Sequence, residues 1–318
     1  MKLKDIYNLA IKVGIENDPR GKKKIDKILK SRNEEYSELS EKKKKDYDLE
    51  NLTDPYADSG IHFGDLNKEI HTVLVGIDID SAEVLLVKEL ERMGTKVDLI
   101  IAHHPIGKSL FKLSDVMDIQ TEVLKNVGVP ENIAEGVLKE RMGEVSRAVS
   151  PANHYQTIDT AKLLNISIIN VHTPADNCAW NYLSSEIEKK KPETLGEILD
   201  TINGIPEYNI SSKMGVAPQI FAGDPKSHAG NIIVDFTGGT ENSEKIVERM
   251  SNHGIGTIVT MHAKETHRKE AIKHYINVVI AGHIASDSLG LNIILDQLEK
   301  KGIKIIPCSG LIRHSRNI

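Results

Sequence analysis

The sequence predicts an α/β protein made of two related α/β units packed around a metal-binding cleft. Three observations lead there. Short β-branched runs alternate with amphipathic segments, a stretch of the first half is echoed in the second, and four apolar runs stop at or near a histidine. With 318 residues the chain is long enough for two domains.

Residues 1–50 are expected to form a charged helical extension. Ile6, Leu9, Ala10 and Val13 recur at helical spacing, and Asn17-Asp18-Pro19-Arg20-Gly21 breaks the run. The lysines at 22–24 and 42–45 alternate with Glu34, Glu35, Glu38 and Glu41, which reads as a peripheral, solvated face rather than an arm for RNA. Asn51 to Gly64 is rich in Asp, Gly, Ser and Pro and reads as a loop.

The first α/β unit is expected over residues 51–176. Its opening strand is Thr72 to Ile77, and Ser81 is positioned to cap a helix from Ala82 to about Arg92. The strand Val97 to Ala102 follows and ends in His103-His104-Pro105. Strand, helix and strand over some thirty residues make a βαβ unit with parallel strands. A helical insertion from about Ser109 to Lys162 precedes the strand Ile166 to Val171, after which come His172 and, four residues on, Asp176.

The second unit is expected over residues 177–318. A short helix starts at Thr194, Ile205 to Gly223 is loop-rich with a weak strand at its end, and the strand Asn231 to Asp235 opens the unit. A helix from Glu241 to Asn252, the strand Thr257 to Thr260 ending near His262, and a helix from Lys264 to His274 follow. The strand Asn277 to Ala281 ends in Gly282-His283 with Asp287 four residues later, and a helix from Ser288 and a strand Ile303 to Pro307 complete the cleft. Lys88-Glu-Leu-Glu-Arg-Met93 is echoed by Lys245-Ile-Val-Glu-Arg-Met250, with Asp78 and Asp235 at the same offset. A duplicated α/β unit is the economical explanation.

Composition narrows the function. A net charge of −5 argues against a general nucleic-acid binder. Two cysteines, Cys178 and Cys308, suit a reducing compartment and exclude a thiolate zinc ribbon, and Cys178 reads as a small buried filler. No signal-peptide pattern and no apolar run of about 18 residues is visible, so a soluble cytoplasmic protein without membrane contact is expected.

In a parallel sheet the carboxyl ends of the strands share one edge, where α/β proteins place their sites. His103, His104, His172, His262 and His283 can therefore converge from distant parts of the chain. The four-residue spacing of His172 with Asp176 and of His283 with Asp287 lets one turn aim both side chains the same way. Imidazole and carboxylate without thiolate suits zinc, iron, manganese, nickel or cobalt. Adjacent histidines on a strand point to opposite sides, so two divalent ions answer His103 and His104 better than one. The remaining histidines read as surface or structural.

Taken together, Ala-His-His-Pro at 102–105, His-Thr-x-x-Asp at 172–176 and Gly-His followed by an acid at 282–287 resemble the Nif-three-like (NGG-one-interacting factor three) family, some of whose members are described as GTP cyclohydrolase 1 type 2 homologs. The likeness runs from about Asp58-Ser59-Gly60 to the last strand. It implies two related α/β domains, a dinuclear metal site between them and a ring-shaped homohexamer built from dimers. The implied ligands are His103, His104, Asp176, His283 and Asp287, with His172 beside them as an acid/base or orienting group. The chain departs from the family where Asp287 replaces the usual Glu and where His262 stands in place of an acid. Residues 177–230 are too few and too irregular for the domain that larger members insert. Ala102 before the histidine pair, where an aspartate-histidine-histidine phosphoesterase needs Asp, argues against that family.

Two functions from different classes follow. One is a metal-dependent hydrolase in which two cations lower the pKa of a shared water and supply hydroxide to an unidentified small-molecule, nucleotide-like substrate. The other is a non-catalytic metal carrier or scaffold. Nothing resembling a P-loop supports GTP cyclohydrolase activity.

Overall fold

The computed structural model describes residues 1–317 and contains two sheets. The first holds β1 (Gly60–Phe63), β2 (Thr72–Gly76), β3 (Leu99–Ala102), β4 (Ser167–Asn170) and, from the C-terminus, β9 (Lys304–Cys308), in the order β1-β4-β3-β2-β9. The second holds β5 (Gln219–Ala222), β6 (Asn231–Asp235), β7 (Ile255–Thr260) and β8 (Asn277–Ile280), in the order β5-β8-β7-β6. The two share a pattern: three parallel strands, with an antiparallel strand paired to the third of them. β9 extends only the first sheet, parallel to β2. The C-terminal strand expected in the second unit therefore belongs, by pairing, to the first sheet.

Each sheet is covered on both faces, as parallel strands require. Val73, Val75, Leu99, Ile101 and Ile169 face a middle layer, and Leu74, Ile100, Ala102 and Ile168 face outward. The middle layer is α9 (Thr173–Lys190) and α14 (His283–Glu299), each following the third parallel strand of its sheet. Ala175 and Cys178 of α9 pack towards the first sheet, and Ala179, Leu183 and Ile187 towards the second. α14 divides likewise, with Leu291, Ile294, Leu295 and Leu298 on one side and Ala285 and Leu289 on the other. The helices cross closely: a Cβ on Gly290 would lie 2.1 Å from the carbonyl oxygen of Ala175.

The outer face of the first sheet carries α4 (Ser81–Arg92) and α8 (Gln156–Leu163). The outer face of the second carries α12 (Ile246–Asn252) and α13 (Glu265–Lys273), and also α6 (Asp118–Asn126) and α7 (Glu131–Val149). The helical insertion of the first half thus covers the sheet of the second, through Val123, Leu124, Leu138 and Val145.

Several local expectations are corrected. The N-terminal segment is not wholly peripheral: α1 (Leu3–Glu16) buries Leu3, Ile6, Tyr7 and Ala10 in the core, whereas α2 (Gly21–Glu38) buries only Ile25. Asp18, bonded by Arg20, Tyr56 and Asn177, ties the end of α1 to α9. Asp80, not Ser81, caps α4, in a capping box with Glu83. Gly60–Phe63 is strand β1 rather than loop, and α11 (Pro206–Lys213) follows α10 (Leu195–Asn203) where loop was expected. The stretch after Asp176 is not irregular, because α9 runs through it. Among the described residues no helix is long and apolar enough to cross a membrane.

Candidate metal centre

β3 ends at Ala102, but its pairing continues: His103 N–H bonds to Gly76 O and His104 N–H to Ile77 O. The backbone of both histidines is fixed, and their rings lie 5.2 Å apart. β4 gives way at His172 to α9, whose first turn carries Asp176. His283 opens α14 and Asp287 lies one turn on. Both carboxylates sit at helix N-termini, where the backbone dipole favours negative charge.

Asp287 stands at the centre. Its Oδ1 is 3.6 Å from His103 Nε2, and its Oδ2 is 3.4 Å from both His104 Nε2 and His283 Nε2. Asp176 Oδ1 is 3.5 Å from His103 Nε2. Two triads share this one aspartate, His103–Asp176–Asp287 and His104–His283–Asp287, and in each the donor atoms lie within 4.8 Å of one another. A third group of equal span is His103, His104 and His172.

The donor set fits a cation. His103 Nε2, Asp176 Oδ1 and both carboxylate oxygens of Asp287 are buried without a hydrogen-bond partner. Orphaned buried polar atoms cost about 1–3 kcal/mol each, and metal held by the two triads would relieve these four. The outer ring nitrogens are occupied: His103 Nδ1 donates to Val171 O at 3.1 Å, His104 Nδ1 to Asp78 at 2.6 Å, and His172 Nδ1 to Asp58 at 2.7 Å. These bonds select the tautomers and aim each Nε2 at the cluster.

The charges are tightly coupled. Burial pushes Asp176 well above the usual carboxylate range, opposed by His103 and reinforced by Asp287 and Asp58. Burial also acts to raise Asp287, but His103, His104 and His283 outweigh it and hold the group down. Burial disfavours the charge on His104, yet Asp287 and Asp78 raise it to about 9, while burial lowers His283 to about 4. A cation entering this cluster displaces protons, so its affinity rises with pH.

All six residues singled out from the sequence, the five expected ligands and His172, meet here. His172 Nε2 lies 3.8 Å from Asp176, and its ring 4.9 Å from that of His103. His262 packs edge-on against His283 at 4.8 Å, its Nδ1 3.5 Å from Glu241, so it lines the approach to the cluster. Glu241 is held by Lys264 and, from the insertion, by Arg141 at 3.3 Å. Three partners had no role assigned from the sequence: Asp58, Asp78 and Glu241. Asp58 lay in the Asp-Ser-Gly stretch that opens the family likeness, and Asp78 in the repeat, so each carried a signal but no assigned chemistry.

The fold and cluster define an α/β protein of two covered sheets with a buried histidine–aspartate site that could hold metal. Residues 35–133 match the family model Duf34/NIF3 (NGG1p interacting factor 3). The crystal structure of a NIF3 superfamily protein from Sphaerobacter thermophilus is similar over 80% of this chain and 92% of its own, at 25% identity and a TM-score of 0.73. Reduced HcgD from Methanocaldococcus jannaschii shares the fold at 16% identity and a TM-score of 0.51, over 78% of this chain and 88% of its own. No curated protein matches the chain. Over residues 35–133, and in its fold, the chain resembles the Nif-three-like family.

Proposed function

We propose that the cluster holds two divalent cations bridged by Asp287 and that the protein is a metal-dependent hydrolase of a small-molecule substrate. The observation that carries the reading is the pair of orphaned oxygens on Asp287, each turned to a different triad. Asp is one methylene shorter than the usual Glu, and the 3.4–3.6 Å separations support a bridging role for it nonetheless.

One half of the cluster is closed, with the side chains of His103, Asp176 and Asp287 buried. The other is open, since the side chains of His104 and His283 are 26% and 40% exposed. An open position is what distinguishes a catalytic site from a structural one. Two cations there would lower the pKa of water and neutralise charge developing on the substrate. His104 and His283 orient the open position, and Asp78 keeps His104 in register. His172, held by Asp58 with Nε2 towards Asp176, is placed to accept or return a proton. His262 and Glu241 form the wall that a substrate passes.

The same opening favours a second reading, a carrier that passes metal to a partner without turnover. The experiment is metal loading followed by turnover assays on nucleotides, cyclic amidines and phosphoesters. Rate enhancement that disappears in His104→Ala supports the hydrolase, and a loaded protein that turns over nothing while exchanging metal supports the carrier. The ring-shaped hexamer is proposed from the family alone and is tested by mass measurement in solution.

A further inference from the structure

His262 is not one of the five expected ligands, yet it is built like two histidines of the cluster. Asp78 faces Nδ1 of His104, and Asp58 faces Nδ1 of His172. Glu241 stands in the same relation to His262, with its Oε2 3.5 Å from Nδ1. Oε1 of Glu241 is taken by Arg141 and Lys264, so this carboxylate is fixed in place. A carboxylate on one ring nitrogen orients a histidine and makes the other nitrogen more basic, the usual support of a metal ligand. For His262 the nitrogen left is Nε2, on a side chain that is 43% exposed.

The ring beside it is that of His283, 4.8 Å away and steeply inclined. His283 differs from the other histidines of the cluster. Nδ1 of His103, His104 and His172 is bonded to the protein, whereas none of the described residues bonds to Nδ1 of His283. No hydrogen bond on the outer nitrogen locks this half-exposed ring, so it turns between rotamers on the fast timescale of surface side chains. From His283 the rings continue inward, 5.1 Å to His104 and 5.2 Å from there to His103, which is fully buried. The recess between His262, Thr240 and Asp287 is small, about 40 Å³. It has room for about three bodies the size of water, enough for a cation that keeps part of its hydration.

We propose that His262 and His283 form an entry site, which captures a divalent transition-metal ion from solvent and passes it to Asp287. The inference rests on the reading of the cluster as a metal centre. His262 Nε2 replaces one water on the arriving ion, and His283 then replaces another. As His283 turns back towards Asp287 the carboxylate takes over the place of His262, whose bond breaks. Every step exchanges one ligand for another, so no cation is stripped bare in a buried site. Two imidazoles suit zinc, cobalt or nickel and not magnesium or calcium, which take oxygen ligands. An entry ligand serves arrival and departure alike, so it sets both rates and leaves the final affinity to the five residues of the cluster.

The test follows uptake of Co²⁺ by the metal-free full chain through its visible absorption, and release of bound Co²⁺ to excess chelator, both by stopped flow. His262→Gln is expected to slow uptake and release alike, by roughly fivefold or more, with final metal content and affinity as in the wild type. His262→Glu, which returns a donor to the mouth, should recover most of the rate. Lys264→Gln removes a charge but no ligand and should not slow uptake. Unchanged rates in His262→Gln, or slowing that Glu at the same position does not relieve, would overturn the entry site. So would equal slowing in Lys264→Gln, or a lower final metal content in His262→Gln, which would make His262 a permanent ligand. All these outcomes leave the cluster standing, whereas a wild-type chain that takes up no metal sinks the reading of the cluster and the entry site with it.

Discussion

Asp78 shows how a residue outside the donor set governs it. Its carboxylate receives His104 Nδ1–H at 2.6 Å and so decides which nitrogen faces Asp287. Partners of this kind typically contribute 10–100-fold to metal affinity. Asp78→Asn should weaken binding by about that range in competition with a coloured chelator, with little change in unfolding, since the Asp78 side chain is 72% exposed. A second residue sets an acid limit. Burial pushes His62 down to about 4 from an ordinary 6.5, with Nε2 bonded to Asn170 at 2.7 Å. The unfolded chain takes up this proton near 6.5 and the folded chain only near 4, so stability falls as pH drops through that window. The loss is about 2–3 kcal/mol. Urea unfolding at pH 7.5 and 4.5 should show His62→Gln losing less than the wild type, and an equal loss would refute the assignment.

Among the elements, the crossing of α9 and α14 brings Asp176 and Asp287 together. Gly290 permits it by resting on the carbonyl of Ala175, one residue before Asp176. Gly290→Ala forces the helices apart, and overpacking of this kind costs about 1–3 kcal/mol. Metal affinity and thermal stability should fall together. Gly136→Ala is the control, with nothing within 4 Å of its added carbon and a gain in helix propensity. Strands ending in histidine were legible because apolar β-branched runs stop abruptly at a polar group, and that placed most of the site. Helix α9 was not legible, since it packs against both sheets and shows no single apolar stripe, while Thr173, Asp176 and Asn177 are buried in it. Strand β1 hid behind its brevity and its leading Gly60, and Asp58 behind the ordinariness of one acid in a polar loop.

At the scale of the molecule, the sheets are bound by what they share. The middle layer contributes to both cores, and the insertion of the first half covers the far face of the second sheet. Unfolding should therefore be a single transition, with far- and near-ultraviolet circular dichroism coincident. Two separated transitions would mean that the halves fold independently. The repeated strand pattern was partly visible in the echo between Lys88–Met93 and Lys245–Met250, which lie on and just beyond the equivalent helices α4 and α12. The return of β9 to the first sheet was not, because pairing across the whole chain leaves no local signature.

Two ions sharing Asp287 would leave a distinct signature in the metal stoichiometry of single variants. Elemental analysis of protein purified without chelator or nickel resin should give two equivalents per chain. Asp176→Ala and His283→Ala should each retain about one, from opposite halves of the cluster, and Asp287→Ala should retain almost none. A wild-type value of one equivalent, or two equivalents surviving in Asp287→Ala, would rule out a pair of ions sharing Asp287.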